Sequence, residues 1–358
     1  MKIKKLLIYA FTVCAVILLV KNASDSILYA KDALRICIEM VVPSLFPFFI
    51  CSGILIYSGF CEVLAKMFRF CMYPLFRVNP AGSSAFILGI VSGYPLGAIT
   101  AGELYQNSYI SKTEAERLLA FCNNSGPLFI LGSVGIAIYT NIRYGIALYI
   151  SHILAALTVG ILFRFYGRNK HSAPNTRMTT PERSTGEIFD IALQNGIRNI
   201  LTVCGAVLFF SVISHLILDI IPMSPYTYSI VSGLTEFVTG TVNISNLSIP
   251  IAKKLILTAV IVGFAGISVH AQVMAVIAKY RLSLVPYIIG KALHGIIAGI
   301  YMVIYLHFNP VTMAVFKPSM SLSFASSSAF ETVTAVSVVI VCAACAIGLY
   351  IKERKRGH

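Results

Sequence analysis

The strongest constraint on this chain is the recurrence of apolar stretches about 20 residues long, separated by short polar gaps. A hydrocarbon core about 30 Å thick needs roughly 20 apolar residues per crossing helix, and the chain has room for about ten such segments. Its 358 residues are 57% hydrophobic and 12% charged, with a mean hydropathy of +0.83, outside the range of a soluble domain. The expected fold is an all-α polytopic membrane protein. The net charge of +14 does not indicate nucleic-acid binding. Lys and Arg fall in short clusters between apolar stretches, which is how membrane proteins encode orientation. The cysteines are scattered within apolar segments, and Cys342 and Cys345 in "VCAACAIG" read as small helix-packing residues. No cofactor and no metal site are expected.

The basic, apolar start "MKIKKLLIYAFTVCAVILLV" shows no clear small-x-small cleavage site, so a retained first helix at about 6–20 is expected. Residues 1–33 then comprise that helix and an external loop. A first repeat at 34–166 contains segments A (about 34–59), B (83–105), C (115–138) and D (142–166). The Pro-, Ser-, Thr- and Arg-rich stretch at 167–187 is a cytoplasmic linker. A second repeat at 188–307 contains A′ (188–221), B′ (226–246), C′ (252–278) and D′ (284–307). An external loop and a final helix at about 332–351 with a basic tail fill 308–358.

B and C are interrupted by "SGYPLG" and "NNSGP", and B′ and C′ by "SGLTEFVTG" and "GFAGISVHAQ". Matching interruptions in two halves point to a transporter's binding site. If B and B′ are re-entrant hairpins and every other segment crosses once, the basic stretches Lys2–Lys5, Lys66–Arg77, Arg164–Arg183, Lys279–Arg281 and Lys352–Arg356 share the cytoplasmic side, with Lys112 and Arg117. Both termini are then cytoplasmic, and A and A′ enter from opposite sides. The expected architecture is an inverted-repeat transporter with re-entrant hairpins and broken transmembrane helices. Lys253 and Lys254 fall on the wrong side in this arrangement.

Non-helical backbone at membrane depth survives only where protein or a water-filled cavity covers it. The freed amides of a half-helix N-terminus suit an anion. In C, Asn123, Asn124, Ser125 and Gly126 are therefore candidate binding residues, after a capping box at Ser111–Glu114. In B, Gly89, Gly93 and Gly97 share a helix face, and Tyr94 at the hairpin tip offers an aromatic surface. In B′, Thr235 and the intramembrane Glu236 are candidates. In C′, Ser268, His270 and Gln272 alternate along an unwound stretch, and His270 has the chemistry for a proton-coupled step. Arg198 in A′ and Lys291, with His294, in D′ are buried-looking cations. Arg198 has a route to snorkel, so Lys291 is the better anion partner. Glu39, and His215 with Asp219 four apart on one helix face, read as local pairs or as residues approaching the interface.

"VVPSLFPFFICSGIL", "SGYPLGAITAGEL" and above all "SKTEAERLLAFCNNSGPLFILGSVG" resemble the YlbJ (SpoVV) family of sporulation integral membrane proteins, which carry the nucleoside-recognition Gate domain. The likeness runs from Arg35 to about His307. That family is similar to concentrative nucleoside transporters, and "GLTE", Gly233–Glu236, resembles their hairpin-tip motif, with Leu234 in place of the usual Gln. The resemblance implies export of dipicolinic acid from the mother cell across the outer forespore membrane. It also implies a location in the mother-cell membrane surrounding the forespore.

The residues alone reach an inverted-repeat carrier with a polar site at the midplane of the lipid bilayer; the first hypothesis is a carrier of a small anionic solute working by alternating access. A nucleoside or other small-solute carrier, or a non-transporting sporulation assembly protein, are the alternatives. A coupling ion, proton or sodium, and a homo-oligomer stay open. Without His-Glu-x-x-His, Gly-x-Ser-x-Gly or a suitable Asp pair, an enzyme is not expected.

Overall fold

The computed structural model describes residues 2–167 and 183–309. Among them every regular element is helical, and five helices are long and apolar enough to cross a membrane. Helix α1 is Lys2–Lys21. After a break at Asn22, α2 runs as Ala23–Tyr57, through a wider π-type turn at Cys37–Val41. The expected loop before residue 34 is therefore helical. Its "ASDSILYAKDALRI" is too charged to register as apolar, yet is rich in helix formers. Hydropathy marks where a helix meets lipid, whereas propensity marks where it starts.

Short α3, Phe60–Met67, leads to a hairpin of α4, Ser83–Ser92, and α5, Leu96–Gln106. Next come α6, Lys112–Leu119, a non-helical stretch at 120–126, and π-type α7, Phe129–Ile138. Helix α8 is Ile142–Phe163. The rest comprises α9, Thr185–Leu218, the hairpin α10, Pro225–Thr235, with α11, Phe237–Ser245, the pair α12, Ile251–Phe264, and α13, Gly266–Ala278, and finally α14, Val285–Phe308. The expected linker core, the external loop after 309 and the final helix lie outside the described residues.

Each hairpin arm is about 15 Å long, half of what a crossing needs. The arms close on glycine. A Cβ on Gly240 would lie 2.0 Å from the Gly233 Cα. In the first hairpin, Cβ atoms on Gly89 and Gly97 would lie 1.7 and 2.2 Å from the Cys122 carbonyl oxygen. The expectation that Gly89, Gly93 and Gly97 share one helix face is corrected. The chain turns at Gly93, so Gly89 and Gly97 sit on opposite arms and together admit the backbone of the α6–α7 break.

Helix α9 packs antiparallel to α2: a Cβ on Gly53 meets Ala192, one on Gly196 meets Ile50, and Asn195 Nδ2 donates to Tyr57 Oη at 2.8 Å. At that same end three connections are tied to α6. Arg117 donates to the Tyr166 and Arg77 carbonyls at 2.8 and 2.5 Å. The Glu116 carboxylate accepts from Tyr166 Oη at 2.9 Å and the Ser283 amide at 3.1 Å. Among the described residues, the connections that carry Arg77, Tyr166 and Ser283 thus meet at Glu116 and Arg117. The capping box forms as expected: Ser111 Oγ accepts from the Glu114 amide at 3.3 Å, and Glu114 Oε2 from the Ser111 amide at 2.8 Å.

At the opposite end, the Asp219 carboxylate accepts from the hydroxyls of Tyr29 and Tyr228. His215 instead bonds the Ser211 carbonyl at 2.7 Å and stacks on Tyr29, so the expected His215–Asp219 pair does not form. Glu39 does pair with Arg35 at 2.9 Å. Lys254, misplaced by the charge rule, donates to the Ser245 carbonyl at 2.6 Å, where it caps the end of α11.

Candidate functional site

Residues 120–126 leave the helix at depth, and their orphaned backbone groups recruit side chains from two other helices and from the stretch itself. The Asn123 carbonyl accepts from Lys291 Nζ at 3.1 Å. The Ser125 amide donates to His152 Nε2 at 3.2 Å. Asn124 turns back, with Nδ2 donating to the Phe121 carbonyl at 2.9 Å. Broken backbone in a dry interior must find such partners, because each unsatisfied group costs several kcal/mol.

Lys291 is 0% exposed. Its ammonium lies 5.3 Å from the Tyr94 ring centroid and 3.4 Å from His294 Nδ1. No carboxylate stands within ion-pair distance of it among the described residues. A lysine at bilayer depth costs about 2.5–3.5 kcal/mol on insertion scales, and here a carbonyl, an imidazole and an aromatic face are all that offset it. Arg198, the other cation considered, is exposed on α9.

A small cavity sits beside this cluster, where residues of the first and second halves of the chain meet. Tyr94, Ser125 and Gly126 line it from the first half, Gln272 and Val269 from α13, and Phe237 and Val238 from α11; Val41, Leu45, Phe129, Val203 and Val207 supply an apolar wall. Its volume is about 20 Å³, room for about one water and far below the roughly 300–1,000 Å³ of typical ligand pockets. Tyr94 ties the halves together, with Oη donating to the Val262 carbonyl at 3.2 Å and its ring meeting Phe237 edge-on at 5.8 Å.

The second-half candidates divide. Ser268, His270 and Gln272 are buried, and Ser268 Oγ, His270 Nε2 and Gln272 Oε1 have no hydrogen-bond partner. The expectation that they lie on an unwound stretch is corrected. The break is confined to Ala265 and Gly266, at φ +73° and +71°, and all three residues ride on the helix that restarts there. His270 Nδ1 bonds the Gly266 carbonyl at 2.7 Å, and its ring packs on Phe264 and Tyr287. Only Gln272 of the three lines the cavity. Thr235 and Glu236 are turned onto their own backbone. Thr235 Oγ1 donates to the Ser232 carbonyl at 2.7 Å. Glu236, 1% exposed, caps α11 by accepting from the Val238 and Thr239 amides at 3.1 and 2.6 Å. A hairpin built from two half-length helices needs such a cap at its tip.

The Asn123 and Ser125 side chains lie beside the Tyr287 and Tyr94 hydroxyls, short of hydrogen-bond geometry. Unpartnered buried polar atoms therefore concentrate where the two breaks converge. The sequence is 30% identical over 338 residues to the sporulation integral membrane protein YlbJ of Bacillus subtilis (strain 168), covering 85% of this chain and 83% of that relative. This chain belongs to the YlbJ family. No family model matches it, and no solved structure does.

Three residues of this YlbJ-family chain join the candidate site without having been singled out from sequence. His152, 2% exposed, holds the Ser125 amide, and the rule that an ionisable residue inside an apolar helix is functional until shown otherwise would have found it. Tyr287 and Phe237 carry no such signal, since aromatic residues are ordinary in membrane helices.

Proposed function

We propose that this YlbJ-family protein is a membrane transporter used in sporulation. It moves dipicolinic acid, a small aromatic dicarboxylate, out of the mother cell across the outer forespore membrane by alternating access. On this reading the two hairpins are re-entrant, the halves are inverted copies, both termini are cytoplasmic, and the protein is a carrier rather than an enzyme. The observation that carries it is Lys291: a buried ammonium without a carboxylate partner among the described residues, held at the meeting point of the interrupted segments. An anion entering beside Tyr94, Ser125 and Gln272 would supply the missing countercharge, and the Asn123 to Ser125 backbone would supply donors. Leu234, 37% exposed, stands where nucleoside carriers place a Gln, which favours the anion over a nucleoside. The relative's name supports the sporulation setting and the membrane.

The test is uptake of radiolabelled dipicolinate, with uridine alongside, into liposomes holding the purified protein. Wild type is expected to carry dipicolinate and Lys291→Ala and Asn124→Ala to lose that flux. Uridine flux without dipicolinate flux would move the protein to the nucleoside class. Flux of neither would favour an assembly role.

A further inference from the structure

His152 on α8 holds the break by a bond that only its neutral form can make. Its Nε2 accepts the Ser125 amide at 3.2 Å, so the ring proton sits on Nδ1, which is buried with no partner. His294 Nε2 bonds the His152 carbonyl at 3.0 Å, which only an N–H can do, and leaves Nδ1 to accept from Lys291 at 3.4 Å. The two rings lie 4.3 Å apart. These tautomers follow from the partners.

The titratable groups that face this cluster are Lys291 and His294 from α14, Cys122 from the break, and Tyr94 from the hairpin tip through Lys291. His270 and Tyr287 stand beside Lys291 on the far side. From α7, Tyr139 is engaged with Thr258. Lys253 and Lys254 sit at the distant start of α12. On α6, Glu116 and Arg117 are engaged with the end loops, and Glu114 with Ser111 and Asn79. Among the described residues, no carboxylate is one of the groups that face the cluster.

We propose that His152 is a proton-binding site that loads one proton together with the dicarboxylate, releasing the Ser125 amide toward the cavity as it does so. The proposal rests on the carrier reading above. A proton from water forms the Nε2–H bond, and the only interaction broken is the Ser125 hydrogen bond, since a donor then faces a donor. Ser125 lines the cavity, so its freed amide is presented to the solute. Lys291 alone matches one charge of a dianion, and protonated His152 supplies the second. In the empty protein two neighbouring cations would repel, so proton and dianion each favour binding of the other, by the same factor.

The experiment uses the full chain in proteoliposomes containing a pH-sensitive dye, with dipicolinate added outside, and compares wild type with His152→Gln. Gln keeps an acceptor for the Ser125 amide but takes up no proton. Wild type is expected to acidify the lumen as dipicolinate enters, and H152Q, which lacks the second countercharge, to carry dipicolinate more slowly and with a lower ratio of protons to dipicolinate. Dipicolinate flux in wild type without proton movement overturns the proposal and leaves the carrier reading standing. Absence of dipicolinate flux in wild type would be a failure of the carrier reading itself. The proton site is then decided by a second measurement in lipid nanodiscs, Cys122 labelling by a methanethiosulfonate read by peptide mass spectrometry. Moving from neutral pH to one well below the ordinary imidazole range should raise the wild-type labelling, relative to H152Q, by roughly two- to tenfold, the factor one lost hydrogen bond represents. An unchanged ratio overturns the proposal.

Discussion

Lys291 combines a cost to the fold with the charge on which the proposed transport depends. Replacing it by Met removes a buried charge but orphans the Asn123 carbonyl that it satisfies. Lys291→Met should therefore lower the apparent Tm in detergent, while Lys291→Gln, which keeps a donor for that carbonyl, should not; on the transport reading both should lower dipicolinate affinity by roughly 10- to 100-fold, the worth of one charge-assisted hydrogen bond. Glu236 acts on the fold alone. Glu236→Ala orphans two amides at the tip of α11 and should cost about 0.5–2 kcal/mol of stability, read as a fall in Tm. Both residues looked alike in sequence, as lone charges in apolar segments. Only the position of the chain break tells them apart: Glu236 sits on its own helix start, whereas Lys291 reaches across to a break in another segment.

At the scale of elements, the interrupted helices are held by close backbone approach rather than by side-chain interdigitation. Gly97→Ala would drive a Cβ to 2.2 Å from the Cys122 carbonyl. The neighbour is backbone, so the hairpin must shift, at about 1–3 kcal/mol for overpacking. A thermal melt should show the loss, and Gly205→Ala, where nothing lies within 4 Å, is the control that should not. Segments and breaks were legible because apolar length, Gly and Pro are one-dimensional signals. What was not legible is which arm faces which: the spacing of Gly89 and Gly97 fits a single helix face, and only the turn at Gly93 sets them against each other. The extent of the C′ break was likewise overread, because polar residues after Gly266 sit comfortably in a helix once neighbouring segments cover them.

For the molecule as a whole, one end is latched by Glu116, which joins the connection after α8 to the start of α14. Burial first, and then the hydrogen bond to Glu116, push Tyr166 up to about 12. Its unfolded value is about 10. The raised value stabilises the neutral phenol, so its contribution is complete below about pH 10 and is lost as pH climbs through about 12. The latch should therefore hold across neutral pH, and Glu116→Ala, which removes the acceptor, should speed amide exchange at Ser283 as seen by hydrogen-exchange mass spectrometry. Charge clustering already placed these loops together, but not the carboxylate that joins them. On the proposed transport reading, the small cavity has a kinetic consequence. A space for about one water would admit a dicarboxylate only after the halves separate, so the rate of solute capture should level off with rising concentration at the rate of opening, and the apparent affinity should be reduced by the fraction of molecules open at any moment. A substitution that merely loosens the closed form would then look, in an uptake assay, like a better binding site.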